Sequence, residues 1–333
     1  MRIRTVVTLL LLWYFCIPAS AQLSDAPPEI QNACKGFMKI QLPKNDRPTL
    51  EEAKTLAGCV SEDLYYGIGQ PADPVKARKC AYTEMDRNSD MIFAGKGILM
   101  MVYANGKGAT RNLDAALRLT CEVEGAPFEI AGRIAHLQAM KKDPEEDFDV
   151  CDDVTSGFMM GACASHNEKA DGAKRQARLN ALTSQWSADE RQALQTLQPA
   201  FDTFVQARAE NEVDATGTAR AAMAMGEEST LRKDFIDALE RFEKGQLPHF
   251  TAAQFSQADA GLNTAYGKIQ HRKDFSYGTV TQQGIRTTQR IWLQYRDAWV
   301  SFGQKKYPAV SADSWKTWLT QQRTKMLKDF FEQ

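Results

Sequence analysis

The chain has 333 residues, of which 43% are hydrophobic and 25% are charged. This composition is typical of globular proteins and excludes a collagen-like or an intrinsically disordered chain. The 41 Lys and Arg residues nearly balance the 42 Asp and Glu residues, which gives a formal net charge of −1. Such a balance provides no global field for binding nucleic acid or an anionic membrane. The length predicts two or three domains.

The first 21 residues have the pattern of a signal peptide. Arg2 and Arg4 precede an apolar stretch at residues 6–17, and Ala19 and Ala21 provide the small residues that signal peptidase accepts. The apolar stretch is short for a membrane span, and no second stretch of spanning length follows it. We therefore expect cleavage after Ala21 and a periplasmic or secreted protein with no membrane anchor.

Export to an oxidising compartment favours disulfide bonds among the six cysteines of the mature chain. These are Cys34, Cys59, Cys80, Cys121, Cys151 and Cys163. Six cysteines allow 15 connectivities, and Cys151 with Cys163 is the preferred local pair because the glycine-containing segment 155–157 can turn the chain back. No Cys-x-x-Cys pair is present and the chain has only four histidines. The sequence therefore predicts neither a metal site nor a cofactor.

Two glycine-containing segments recur 39 residues apart. Gly67, Gly69 and Ala77 correspond without a gap to Gly106, Gly108 and Ala116. The pattern predicts helical hairpins, in which glycine ends one helix and an alanine allows a second helix to approach closely. It resembles the Sel-1-like repeat, which implies a short α-solenoid with a protein-binding surface. We assign residues 22–163 to this cysteine-containing repeat domain.

A longer repeat has an offset of 91 residues and covers the second half of the chain. Gln192, Phe201 and Phe204 correspond to Gln283, Trp292 and Tyr295. We infer a duplicated helical unit, with a degenerate copy at 166–247 and a second copy at 255–333. Apolar spacing predicts helices at 258–269, 280–305 and 314–331 in the second copy. The expected fold is all-α: a short, disulfide-stapled α-solenoid followed by two helical-bundle units.

Three motifs in the second copy resemble the LprI-like lysozyme-inhibitor family of exported bacterial proteins. They have the forms Asp-x-x-Leu-Asn-x-x-Tyr, Gln-Arg-x-Trp-x-x-Tyr-Arg-Asp-Ala and Leu-Thr-x-x-Arg. Their residues are Asp259, Leu262, Asn263, Tyr266, Gln289, Arg290, Trp292, Tyr295, Arg296, Asp297, Leu319, Thr320 and Arg323. Trp299 and Trp315 stand near positions where many family members have cysteines, so we expect packing alone to stabilise this copy.

The polar motif residues admit a structural and a ligand-binding interpretation, and we favour the structural one. Arg296 and Asp297 are adjacent on a helix, so their side chains point about 100° apart. This argues against their acting together on one face of the helix. We expect Asp297 to contact Arg323, and Arg296 to contact Asn263 or Asp259. Such charge-assisted pairs would fix how three helices align.

Acidic residues are concentrated shortly before the second half of the chain. The run comprises Asp143, Glu145, Glu146, Asp147, Asp149, Asp152 and Asp153. Because animal-type lysozymes are strongly cationic, an acidic surface would speed their capture, and the run is a candidate partner-binding site. The alternative is a solvated loop between two domains.

The sequence contains no catalytic motif, such as a Gly-x-Ser-x-Gly elbow, a phosphate-binding loop or His-Glu-x-x-His. We therefore predict a non-enzyme. The family resemblance implies a protein that inhibits lysozyme-like muramidases by binding them. The alternative is a periplasmic helical-repeat adaptor that binds another cell-envelope protein without inhibition, and an unrecognised hydrolase is the third reading.

Overall fold

A computed structural model describes residues 25–87, 91–143 and 145–332. The chain forms two compact units, one containing the described residues up to Tyr65 with Ala72–Asp153, the other containing Tyr66–Pro71 and the chain from Val154 onward. The predicted signal peptide lies outside the described residues. Within the described ranges all regular elements are helical, and Tyr277 and Val280 form an isolated β-bridge. The all-α prediction is confirmed.

In its described residues, the first unit is built from seven helices and two short 3₁₀ turns. The helices are α1 (Pro28–Phe37), α2 (Leu50–Thr55), α3 (Ser61–Tyr66), α4 (Pro74–Met85), α5 (Gly95–Asn105), α6 (Leu113–Thr120) and α7 (Pro127–Ala139), and the 3₁₀ turns are Lys44–Asp46 and Val150–Asp153. Consecutive helices α4, α5, α6 and α7 pack against one another in chain order. This is the nearest-neighbour packing of helical hairpins.

The 39-residue repeat has the same local geometry at both positions. Asp73 N–H donates to the carbonyl of Leu64, and Asn112 N–H donates to the carbonyl of Tyr103, both at 2.8 Å. The side chains of Asp73 and Asn112 each cap the following helix. The four glycines adopt positive φ, from 65° at Gly106 to 93° at Gly108, a region that L side chains rarely adopt. The hairpin geometry therefore recurs, and its assignment to the Sel-1-like family stays a prediction.

Disulfide bonds stabilise the first unit. Cys34 is bonded to Cys121 across a sequence separation of 87, and Cys59 to Cys80 across a separation of 21. Cys151 and Cys163 are disulfide-bonded cysteines as well. All six cysteines of the described residues are thus oxidised, as expected for a protein of an oxidising compartment.

The second unit consists of six longer helices. They are α8 (Gly157–Thr183), α9 (Ala188–Asn211), α10 (Arg220–Glu243), α11 (Ala252–Gln270), α12 (Gln282–Lys306) and α13 (Ala312–Lys328). We expected the first domain to end after Cys163. The division instead lies between Asp153 and Val154, because the side chain of Ser156 caps a 27-residue helix that continues through position 163.

The two proposed copies have the same packing pattern. Helix α8 packs on α10 as α11 packs on α13, and α9 and α12 each contact the last helix of their own half. Helices α9 and α12 also pack extensively on each other. One hydrophobic core includes buried residues from all six helices. The two halves therefore form one body, and their origin by duplication stays a prediction.

Aromatic side chains make up a large part of this shared core. Trp299 and Trp315 are fully buried, and no cysteine follows Cys163 in the sequence. The ring of Phe242, at the end of α10, lies 5.1 Å from both Trp315 and Trp318 and 6.4 Å from Trp299. Phe242 belongs to the first half, and its ring contacts tryptophans on both α12 and α13 of the second half.

None of the helices in the described ranges is long and apolar enough to cross a membrane.

Candidate functional site

A buried ion pair lies inside the second unit, here called the C-terminal unit. Arg323 on α13 donates from both terminal nitrogens to the Glu212 carboxylate, at 2.8 and 2.5 Å. Both side chains are fully buried. This two-point geometry fixes the relative orientation of the groups, so it holds α13 against the end of α9.

Glu212 also accepts a hydrogen bond from Arg208, at 2.7 Å. Arg208 in turn contacts Glu227 of α10, with a shortest distance of 2.6 Å. Burial alone would raise the pKa of Glu212, but the charges and hydrogen bonds of Arg323 and Arg208 outweigh it and hold the pKa below its usual range. The network therefore keeps a carboxylate ionised inside the unit.

One motif residue from α12 joins this network. The Nε of Arg323 donates to the side-chain oxygen of Gln289 at 2.9 Å, so two of the motif residues meet as a structural pair. The predicted contact between Asp297 and Arg323 is wrong. Asp297 is exposed, whereas Arg323 lies in the interior with Glu212, which is 111 residues away in the chain.

The second predicted pairing is wrong as well. Arg296 donates to Asp297 at 3.0 and 3.1 Å, although we expected neighbours on a helix to diverge. The arginine side chain is long enough to lie along the helix surface, where it also passes over the Trp292 ring at 5.4 Å. Asn263 donates to Asp259 on its own helix, at 3.0 Å.

A groove of about 570 Å³ lies beside the network in the same unit. Its floor is largely aromatic, and its walls belong to helices from both halves. From α9 and α10 come Phe201, Phe204, Arg208, Glu227, Thr230, Leu231, Asp234, Phe235, Ala238 and Arg241, and from α12, α13 and the residue after α13 come Trp292, Tyr295, Trp299, Trp318, Leu319, Gln322, Arg323, Lys325, Met326 and Asp329. Concave sites of this size are typical of binding pockets, and polar or charged side chains make up nearly half of the lining of this one.

Four residues of the family motif line this groove: Trp292, Tyr295, Leu319 and Arg323. Burial raises the pKa of the Tyr295 phenol, so this residue stays neutral at physiological pH. The adjacent floor residue Trp299 is fully buried, and within the described ranges its Nε1–H has no hydrogen-bond partner. The Nε1 atom is itself buried, so the floor presents aromatic surface and not this donor.

The other motif residues divide between core and surface. Leu262 is buried and Tyr266 is half-buried against the core. Thr320 is fully buried. Arg290 and Asn263 are exposed and Asp259 is half-buried.

The acidic run folds into a segment with many contacts of its own. Its backbone carbonyls at Asp143 and Glu146 accept from Arg111, at 3.3 and 3.4 Å. Lys107 forms an ion pair with Asp147 at 2.8 Å. Asp149 and Asp152 accept from backbone amides of the same segment, while Glu145 is exposed. Nearby cations therefore reduce the negative charge that this segment presents.

His136 of α7 is hydrogen-bonded to two acidic residues of this segment. Its Nδ1 lies 3.0 Å from Asp153 and its Nε2 lies 3.1 Å from Glu146. Burial alone would lower the pKa of His136, but the hydrogen bonds and charges of Asp153 and Glu146 outweigh it and raise the pKa. The histidine therefore ties the acidic segment to α7.

A comparison with protein families agrees with the resemblance seen in the motifs. The family model for lysozyme inhibitor LprI matches residues 245–327. The match includes α11, α12 and most of α13, and it ends before the last part of the chain. No curated protein and no solved structure gives a significant match.

The matched segment provides only one side of the groove. Phe201, Phe204 and Arg208 come from α9, and Glu212 follows that helix. Sequence reasoning gave no role to Glu212, and no local pattern around it indicates burial. The phenylalanines did have a signal, since the 91-residue offset places them on Trp292 and Tyr295.

Proposed function

We propose that this protein is an exported inhibitor of lysozyme-like muramidases, which it blocks by binding them and without chemistry of its own. The observation that carries the proposal is the match of residues 245–327 to the lysozyme inhibitor LprI family. The oxidised cysteines support it, because they fit the extracytoplasmic compartment in which such enzymes act. Two helices of the matched segment, α12 and α13, also line one side of the groove.

The test is a titration of the oxidised mature protein into an animal-type lysozyme acting on cell walls, at low and at physiological salt. We expect activity to fall to a plateau at a fixed molar ratio and to stay inhibited at physiological salt. Inhibition that disappears with salt would indicate charge attraction alone, since salt screens exposed charges over about 8–10 Å. The absence of inhibition at micromolar excess would contradict the proposal.

A variant of the acidic run separates capture from inhibition. Asp143→Asn, Glu145→Gln and Asp147→Asn change three exposed carboxylates. If the run steers a cationic enzyme to this protein, the triple variant slows association at low salt. It leaves the final stoichiometry unchanged.

An adaptor that binds a cell-envelope protein is the second candidate. The recurring hairpins of the first unit favour it, because stacked helical hairpins present extended binding surfaces. Co-purification of an envelope protein with the intact chain, without any loss of muramidase activity, would support this candidate over the first.

A further inference from the structure

We propose that the groove of the C-terminal unit receives a short peptide segment of the muramidase, with an apolar side chain on the aromatic floor and charged residues at the rim. This inference rests on the proposed function and adds the surface and the chemistry by which the partner is held.

The floor calls for an apolar group. Phe201, Phe204, Trp292 and Trp299 provide the aromatic surface. The Nε1–H of Trp299 is itself buried, so it is not available to a ligand. A peptide supplies an apolar side chain together with neighbouring side chains that reach the charged rim.

The rim has acidic and basic groups on each side. Asp234 and Arg241 lie two turns apart on α10, and Lys325 on α13 is followed by Asp329. All four side chains are exposed. None of them forms an ion pair with another described residue. They are therefore available to a segment that presents both signs of charge beside its apolar residue, and such complementarity contributes to specificity.

The groove has a size that suits one or two side chains and the backbone between them. Its volume of about 570 Å³ lies within the range of about 300–1,000 Å³ that is typical of ligand pockets. Buried aromatic anchors that exclude water are also the usual source of affinity in protein interfaces. The groove thus fits a projecting segment better than a flat contact.

The experiment blocks the mouth of the groove without changing its floor. Gln322 is exposed and lines the groove, whereas its neighbour Gln321 is exposed and lies outside it. Gln322→Trp places a bulky side chain at the mouth, and Gln321→Trp is the matched control on the same helix. Thermal unfolding of both variants establishes that the fold is intact.

Binding to lysozyme is measured by calorimetry and by the inhibition titration. We expect Gln322→Trp to weaken binding at least about tenfold and Gln321→Trp to stay within about twofold of the unmodified protein.

Three outcomes would overturn the inference, and they differ from one another. Equal inhibition by both tryptophan variants would leave the proposed function standing and exclude the groove as its surface. A muropeptide that quenches the tryptophan fluorescence of the unmodified protein, but not of Gln322→Trp, while lysozyme still binds both, would make the occupant a glycan fragment. No inhibition by the unmodified protein would overturn the proposed function together with this occupant.

Discussion

The rings of Phe204 and Tyr295 lie nearly parallel, with centroids 5.1 Å apart and an interplanar angle of 7°. These residues are equivalent in the 91-residue repeat, and they lie on α9 and α12, which pack on each other. Contact between equivalent positions is the arrangement that a local twofold axis between two copies produces. It supports the proposed duplication, and it places the groove floor at the junction of the two halves.

The two halves differ at their equivalent arginines, which gives a matched stability test. Arg323 lies buried with Glu212, whereas Arg232, 91 residues earlier, forms a partly exposed pair with Asp202. We expect Arg323→Ala to lower the free energy of unfolding by about 3–5 kcal/mol, since it leaves a buried carboxylate short of a partner. Arg232→Ala should cost at most about 1 kcal/mol.

Denaturant unfolding of residues 22–333 measures both variants. Equal, small losses would show that the Arg323–Glu212 pair contributes little to the C-terminal unit. Arg323→Lys is an informative third variant, because an ammonium group cannot reproduce the two parallel hydrogen bonds and should recover only part of the loss.

Close packing against Trp315 makes one glycine sensitive to a single methyl group. A Cβ at Gly303 would lie 2.6 Å from two atoms of the Trp315 ring, whereas a Cβ at Gly261 would meet no atom within 4 Å. We expect Gly303→Ala to destabilise the protein by about 1–3 kcal/mol through overpacking. Gly261→Ala, in the interior of α11, should instead stabilise it by up to about 1 kcal/mol.

Thermal and denaturant melts distinguish these two variants directly. A melting temperature unchanged by Gly303→Ala would mean that the core around Trp315 can adjust. Near-ultraviolet circular dichroism, which reports on tryptophan surroundings, is expected to change for Gly303→Ala alone.

His136, which holds the acidic segment, should have a pKa above the ordinary histidine value of 6.5. Because the folded-state pKa of His136 is raised, its contribution to stability is fully present below the unfolded value. It is lost as the pH rises through the folded value. Nuclear magnetic resonance of the ring protons measures this pKa, and Asp153→Asn should lower it by removing a hydrogen-bonded carboxylate.

Stability measurements at several pH values test the same linkage. His136→Gln should cost more stability at pH 5.5 than at pH 8.5. A His136 pKa at or below its ordinary value, with no response to Asp153→Asn, would contradict the geometry of this segment.

The disulfides of the first unit should differ in what they contribute. Crosslinks stabilise largely by restricting the unfolded chain, and a longer loop loses more entropy. On this model the Cys34–Cys121 bond, with its separation of 87 residues, contributes roughly 4.6 kcal/mol, and Cys59–Cys80, with 21, roughly 3.4 kcal/mol. Paired substitution of each to alanine, followed by urea unfolding, gives the comparison. A larger loss for Cys59 and Cys80 would argue against the entropic account.

Local patterns predicted most of the fold but not the partners within it. The predicted helices 258–269 and 280–305 correspond to Ala252–Gln270 and Gln282–Lys306. They could be predicted because the spacing of apolar residues indicates which face of a helix is buried. The early start at Ala252 follows from Thr251, whose side chain caps the helix. The partner of Arg323 could not be predicted, since Glu212 is brought to it only by tertiary packing.

The two units differ in how much they depend on oxidation of their cysteines. The second unit contains a single cysteine, Cys163, and its core is made of rings and aliphatic side chains. The first unit contains the other five described cysteines. A cell that retained this chain in its reducing cytosol would hold a polypeptide whose second unit has its full core and lacks the bond at Cys163, while its first unit lacks the bonds of five cysteines. Oxidation would then act as a maturation step chiefly for the first unit.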